Sequence, residues 1–296
     1  MKEDFLTISG YGLTAVVSTL GAELQSLRDS NGREYNWQGT PPYWEGRGPI
    51  LFPATGAPWN ETYTIDGTAF KMPKHGFVKD QIFSVKEHTE SQLVLEYKPT
   101  EETLAFFPFQ YVLQVRFRFE KQTLCVDFSV ENTDTKELFF QIGGHPALAI
   151  PDFNKQRVVN GYVRLHTADT VTPIYIIRAR EQGCIQPGRF PAPINDDGLI
   201  PICVDTFANE ALIFEANQVC AIELLDANKQ KVAMVESDAP CWLVWQMQDV
   251  SSPYVCFEPW YGLPDNEGES RELQKRPYVQ QAKPGQTWHG GFTVKI

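Results

Sequence analysis

The sequence predicts an all-β fold in a single domain spanning residues 1–296. Three observations carry that expectation. Short apolar runs with period-two alternation recur along the whole chain, turn-forming residues separate them, and helical periodicity is nearly absent. At 296 residues the chain suits a large β-sandwich or barrel, a class that stays one domain at lengths where others divide. No stretch has the composition of a flexible tether, and no internal repeat is visible.

Taken in chain order, the first alternating run covers 13–18, and Ser30-Asn31-Gly32 marks a turn after it. The Pro- and Gly-rich stretch 41–58 carries aromatic and aliphatic side chains, which makes it a long loop over a site rather than a linker. A turn at Ile65-Asp66-Gly67 precedes a strand at 92–97. The segment 100–106 reads as helical, with Thr100 as N-cap and Glu101 and Glu102 in the first turn, where the helix dipole favours acids.

The clearest pattern follows. Phe109, Tyr111, Leu113, Val115, Phe117 and Phe119 alternate with polar residues, and after Lys121-Gln122 the phase restarts at Leu124, Val126, Phe128 and Val130. Such a pair of runs is a half-buried antiparallel hairpin. Further strands are expected at 138–141, 211–214, 219–225, 231–235, 242–247, 254–257 and 292–296, with turns at Asn195-Asp196-Asp197-Gly198 and Lys283-Pro284-Gly285. A second long loop over a site is expected at 187–201, and a further helical turn near 269–275.

The charge balance narrows the partners. Lys plus Arg number 26 and Asp plus Glu 37, a net charge of −11, which argues against nucleic acid or an anionic membrane surface and for a small or neutral ligand. Six cysteines without a C-x-x-C pair read as reduced thiols. The acidic N-terminus lacks signal-peptide features, and no apolar run is long enough to span a bilayer. A soluble cytoplasmic protein, monomer or homodimer, is expected.

Several residues stand where chemistry is possible. Glu258 ends an apolar run and precedes Pro259 and Trp260, so a strand is expected to stop there and expose a partly desolvated carboxylate with the makings of a general base. A rim carboxylate in water is the competing reading. His145 follows Gly143-Gly144, which let a ligand approach the backbone closely, and its imidazole is suited to proton transfer. A histidine satisfied within a turn competes with that role. His75 and Arg47 are polar groups bracketed by Gly and Pro in rigid loops, able to donate to hydroxyl or anionic oxygens, or simply exposed loop residues. Asp205 follows an apolar run and either accepts hydrogen bonds from a polyol or caps a turn. Several of the tryptophans Trp37, Trp44, Trp59, Trp242, Trp245, Trp260 and Trp288 are expected in loops, where flat rings pack on a sugar face, with Trp260 a candidate for that role, whereas core packing explains Trp242 and Trp245 more simply. His75, His145 and Glu258 lack the spacing of a metal site on one element, and phosphate loops, dinucleotide fingerprints and G-x-S-x-G elbows are absent.

In order, Gly46-Arg47-Gly48, Lys74-His75-Gly76-Phe77, Gly143-Gly144-His145-Pro146, Asp205 and Phe257-Glu258-Pro259-Trp260-Tyr261-Gly262 resemble the aldose 1-epimerase (galactose mutarotase) superfamily, in particular its LacX-like branch. The resemblance covers nearly the whole chain. It implies a large antiparallel β-supersandwich with a sugar cleft, and a reaction that needs no metal or organic cofactor. It implies Glu258 as the base at the anomeric hydroxyl and His145 as the acid at the ring oxygen. His75, Arg47 and Asp205 would hold the ring oxygen or other hydroxyls. Two motifs depart from the better-known pattern: His145-Pro146-Ala147-Leu148 replaces H-x-Y-F, and Glu258-Pro259-Trp260 replaces E-x-Q. The chemistry survives these changes, whereas sugar preference does not carry across. Galactose, glucose and a hexose 6-phosphate stay open, the last with Lys74, Lys79 and Arg47 as phosphate donors. The alternatives to a mutarotase are a hexose-6-phosphate 1-epimerase and a sugar-binding or sensing protein without turnover.

Overall fold

The hairpin read from the sequence lies within the larger of two facing sheets. In the computed structural model, which describes residues 2–167, 175–179 and 183–296, Tyr111–Phe119 and Thr123–Asn132 pair antiparallel, Phe119 opposite Leu124 and Tyr111 opposite Asn132. Their alternate residues Val115, Phe117, Val126 and Phe128 are buried, while Arg118 and Asp127 form an ion pair on the outer face. This hairpin sits in a nine-stranded sheet, flanked on one side by Gln92–Tyr97 and Ser84–His88 and on the other by Thr287–Lys295, Lys231–Glu236, Ala221–Asp226, Gly161–His166 and Ile200–Pro201.

The second sheet has eight strands among the described residues. From one edge it runs Ile185–Pro191, Tyr175–Ala179, Ala211–Phe214, Cys241–Trp245, Tyr254–Tyr261, Ile142–Gly144 and Ile50–Leu51, with Ala147–Ala149 also against Tyr254–Tyr261. All named pairings in both sheets are antiparallel. A three-stranded sheet, Phe5–Gly10, Leu13–Ser18 and Leu24–Asp29, packs into the same core, which joins Ile8 and Val17 to Phe117, Phe128, Val244 and Phe257. That shared core makes the chain one domain, an all-β supersandwich as expected.

The helical expectations shrink but keep their place. Glu101–Leu104 is a single turn, capped by Thr100, whose side chain accepts from the Thr103 N–H while the Thr103 hydroxyl accepts from the Thr100 N–H. The turn expected near 269–275 is a 3-10 turn at Leu273–Lys275. The second long loop is a correction. Ile185–Pro191 is an edge strand, where its prolines are tolerated because one side of the strand needs no ladder partner.

The strand expected to stop before Glu258 runs through it, from Tyr254 to Tyr261. On one side Leu243 and Trp242 of Cys241–Trp245 lie opposite Glu258 and Pro259. On the other side the partner changes, from Ala147–Ala149 along residues 254–256 to Ile142–Gly144 along 260–261. The Phe257 N–H donates towards that second side, to the Pro146 carbonyl. By the two-residue repeat the nitrogen of Pro259 points to the same side, into the interval where the neighbouring chain passes from one short strand to the next. Proline therefore costs no ladder bond there, and the residue filling the interval is His145.

Candidate active site

The outer face of the eight-stranded sheet is the floor of a cleft. Along three adjacent strands the side chains alternate: Leu212, Phe214, Trp242, Val244, Val255 and Phe257 enter the core between the sheets. Ala211, Ile213, Leu243, Trp245, Glu258 and Trp260 point the other way and line a cavity of about 510 Å³. The strand carrying Glu258 is buried on both faces, which explains its continuous apolar run. The first long loop lies over this floor as expected, with Trp44, Gly46, Pro49 and Gly56 on the cavity wall.

Glu258 is 1% exposed, so it is neither a rim carboxylate nor a strand end. Its Oε2 lies 3.2 Å from His145 Nε2, without the alignment of a hydrogen bond. Burial pushes the Glu258 carboxyl well above the usual carboxylate range; Lys74 pulls it back and Glu210 pushes further. Burial likewise lowers His145, to about 3. The two groups thus favour their uncharged forms, carboxylic acid beside neutral imidazole. That state holds the same number of protons as carboxylate beside imidazolium, and the short contact makes the two tautomers neighbours.

His75 stands next to this pair, its ring centroid 5.7 Å from that of His145 and 5.6 Å from that of Trp260. Its Nδ1 accepts the backbone N–H of Gly56 at 3.2 Å, which places the ring proton on Nε2. Burial holds its basicity well below the ordinary histidine value, so His75 is a neutral donor. Trp44 lies over His145 at 4.8 Å and Trp245 meets it edge-on at 5.8 Å. The His145 Nδ1 and Trp260 Nε1 are buried without a hydrogen bond within the chain.

Four of the six residues singled out in the sequence, Glu258, His145, His75 and Trp260, therefore meet in one cavity. Arg47 and Asp205 are not among the described residues that line it. The Arg47 backbone N–H donates to Glu23 Oε1 at 2.9 Å and its guanidinium to the Gln25 carbonyl at 3.3 Å, which holds the side chain against the strand Leu24–Asp29. Asp205 is exposed on the 3-10 turn Asp205–Phe207. The glycines before His145 also serve differently than expected. A Cβ on Gly143 would stand 2.7 Å from the Trp260 ring and one on Gly144 2.3 Å from the Phe292 ring, so both make room for aromatic neighbours. Sequence reasoning passed over Glu210 and gave Lys74 only a phosphate role; they form a 3.3 Å ion pair at the cavity. Trp245, which it assigned to the core, is on the cavity floor.

Donor atoms of His145, Cys256 and Glu258 lie within 4.8 Å of one another. These residues would hold a metal ion if one bound, but burial keeps the Cys256 thiol and the Glu258 carboxyl in protonated forms, which are poor ligands. No helix among the described residues is long and apolar enough to cross a membrane.

Fold and site define a β-supersandwich with a carboxyl–imidazole pair at the floor of an aromatic cleft. The chain belongs to the aldose 1-epimerase family, whose model matches residues 4–289. It is 26% identical over 315 aligned residues to the chromosomal LacX protein of Lactococcus lactis subsp. lactis, covering all of this chain and 98% of that one. A galactose mutarotase related enzyme from Lactobacillus acidophilus superposes with a TM-score of 0.88 at 28% identity, over 99% of this chain and 97% of that one. A galactose mutarotase-like protein from Lactobacillus casei shares the fold with a TM-score of 0.92 at 24% identity, over 99% of each chain.

Proposed function

We propose that the protein is a sugar mutarotase that interconverts the α and β anomers of an aldohexose, with Glu258 as base and His145 as acid. The observation that carries this reading is the 3.2 Å contact between two buried groups at the floor of the cleft. A ring-closed sugar meets the charged tautomer of the pair. The Glu258 carboxylate takes the proton of the anomeric hydroxyl, the His145 imidazolium protonates the ring oxygen, and the bond from C1 to the ring oxygen breaks to give the aldehyde. The pair is then carboxylic acid and neutral imidazole, the form that burial favours. Rotation about C1–C2 presents the other carbonyl face, and closure returns both protons. Each half-reaction converts one tautomer into the other, so no proton is exchanged with water.

In this scheme His75 Nε2–H donates to the ring oxygen or a neighbouring hydroxyl. Trp260 and Trp44 supply aromatic surface for the apolar face of the ring. Arg47 and Asp205 have no part in this scheme, in keeping with their positions outside the cavity wall. All six cysteines are free, four of them buried, which suits the reducing cytoplasm as the working compartment.

Lys74 and Lys79 on the cavity wall support a second reading, a hexose-6-phosphate 1-epimerase. Each is already engaged, with Glu210 at 3.3 Å and Asp80 at 2.5 Å, which favours the unphosphorylated sugar. Saturation-transfer NMR of α/β exchange across free and 6-phosphorylated hexoses tests both. Faster exchange of a free hexose supports the mutarotase, and faster exchange of the phosphate alone selects the second reading. Binding without faster exchange replaces both with a sugar-binding role.

A further inference from the structure

Lys74 reaches the cleft from the loop that also carries His75, and its placement is built rather than incidental. Its aliphatic stem lies across Gly183, where a Cβ would come within 2.8 Å of the Lys74 Cε and 2.9 Å of its Cδ. Its ammonium is 3.3 Å from Glu210 Oε1. Glu210 directly precedes the floor strand Ala211–Phe214 and is held at φ +70°, a left-handed conformation that non-glycine residues adopt at a cost. His75, beside Lys74, has φ +67°. Two strained residues thus bring a cation and an anion together on the wall of the cavity whose floor is Glu258. The other lysine of the wall, Lys79, is closed onto Asp80 of its own 3-10 turn.

We infer that Lys74 and Glu210 are opposed positioning residues of the acid–base pair: the Lys74 ammonium favours release of the proton shared by Glu258 and His145, and the Glu210 carboxylate favours its retention. The inference rests on the assignment of that pair to proton transfer. Among the described residues, the groups facing Glu258 are His145 from the interval between strands, Cys256 and Tyr254 from its own strand, and His75, Lys74 and Glu210 from the wall. Buried in the free protein, the thiol, the phenol and His75 stay uncharged. Lys74 and Glu210 are therefore the charged members of this set; the cavity wall also carries Glu3, Glu23, Lys79 and Asp80, which do not act on Glu258. Their effects on Glu258 have opposite sign, Lys74 having the larger. A mere tether between loop and floor would have no sign.

The test compares Lys74→Met, Lys74→Arg and Glu210→Gln with wild type, reading the alkaline limb of kcat for anomer exchange. Removing the cation strengthens proton retention, so Lys74→Met moves the limb to higher pH. Removing the anion weakens it, so Glu210→Gln moves the limb to lower pH. A shift on the order of one pH unit is expected for a unit charge at a partly solvated wall. Lys74→Arg keeps the charge and restores the wild-type limb. Carbon-13 NMR titration of the Glu258 side-chain carboxyl, assigned by its loss in Glu258→Gln, reads the same shifts without any sugar. Displacements in one direction for both variants, or none in the carboxyl titration, overturn the inference. Absence of anomer exchange in wild type with the carboxyl shifts intact would instead remove the mutarotase reading and leave the electrostatic pairing standing.

Discussion

Glu258 and His145 meet across a discontinuity in the sheet: the strand Tyr254–Tyr261 changes partner beside Glu258, and His145 occupies the interval with its Nε2 3.2 Å from the carboxyl. Neither residue stands on a flexible tip. Both are flanked by ladder pairing, which holds the two groups close together without help from a mobile loop.

Replacing Glu258 by Gln keeps the shape and removes the carboxylate proposed as base. Anomer exchange is expected to fall by about 10²- to 10⁴-fold, the usual contribution of one positioned proton transfer, while sugar binding changes little. His145→Asn is expected to show a loss of the same order. Saturation-transfer NMR reads the rates and ligand-detected NMR the binding. Wild-type exchange in the Glu258→Gln protein would remove Glu258 from its role.

Most strands were legible because their side chains alternate. The runs at 13–18, 92–97 and 211–214 match Leu13–Ser18, Gln92–Tyr97 and Ala211–Phe214 residue for residue. The strand through Glu258 was read short because Pro259 signals an end, and only the partner change on the facing side makes proline harmless there. The same non-local fact hid Glu210. Nothing in Phe207 to Ala211 marks a cleft residue until sheet order sets Ala211–Phe214 beside Cys241–Trp245, one strand from Glu258. Arg47 looked like a ligand because Gly and Pro bracket it, yet the Glu23 side chain captures its backbone and the Gln25 carbonyl its guanidinium.

The glycines before His145 are predicted to be intolerant for two separable reasons. In Gly144→Ala the new methyl meets the Phe292 ring of the opposite sheet, and a loss of about 1–3 kcal/mol of stability is expected from overpacking. In Gly143→Ala the methyl meets the Trp260 ring in the cleft, so sugar binding should weaken as well. Urea unfolding of both variants beside ligand titration checks the split; equal binding by Gly143→Ala and wild type would contradict it.

Asp265, shortly after the strand that carries Glu258, has a structural role. Its Oδ1 accepts from Arg276 Nε at 3.1 Å and its Oδ2 from the Trp59 N–H at 3.1 Å, with Asp265 and Arg276 side chains almost wholly buried. Asp265→Ala would leave a buried guanidinium without its counter-ion, and a loss of about 3–5 kcal/mol is expected. Denaturant unfolding measures it. A loss below about 1 kcal/mol, the range of an exposed pair, would show that the contact is not holding the loop.

The buried acid at the cleft floor also predicts how stability depends on pH. In the folded protein Glu258 holds its proton well above the pH at which the unfolded chain releases it, near 4.5. Between those two values the folded state binds more protons, so this residue's contribution to stability falls as pH rises. Gln does not titrate, and the melting temperature of Glu258→Gln minus that of wild type should therefore grow from pH 5 to pH 8. His145 has the opposite slope: lowered to about 3 in the fold against 6.5 unfolded, it costs stability as pH falls through that interval. His145→Asn should accordingly lose less stability than wild type between pH 6.5 and pH 4. Thermal melts of the three proteins across this range decide the matter, since a constant difference for Glu258→Gln would mean that the carboxyl ionises in the fold as it does in water.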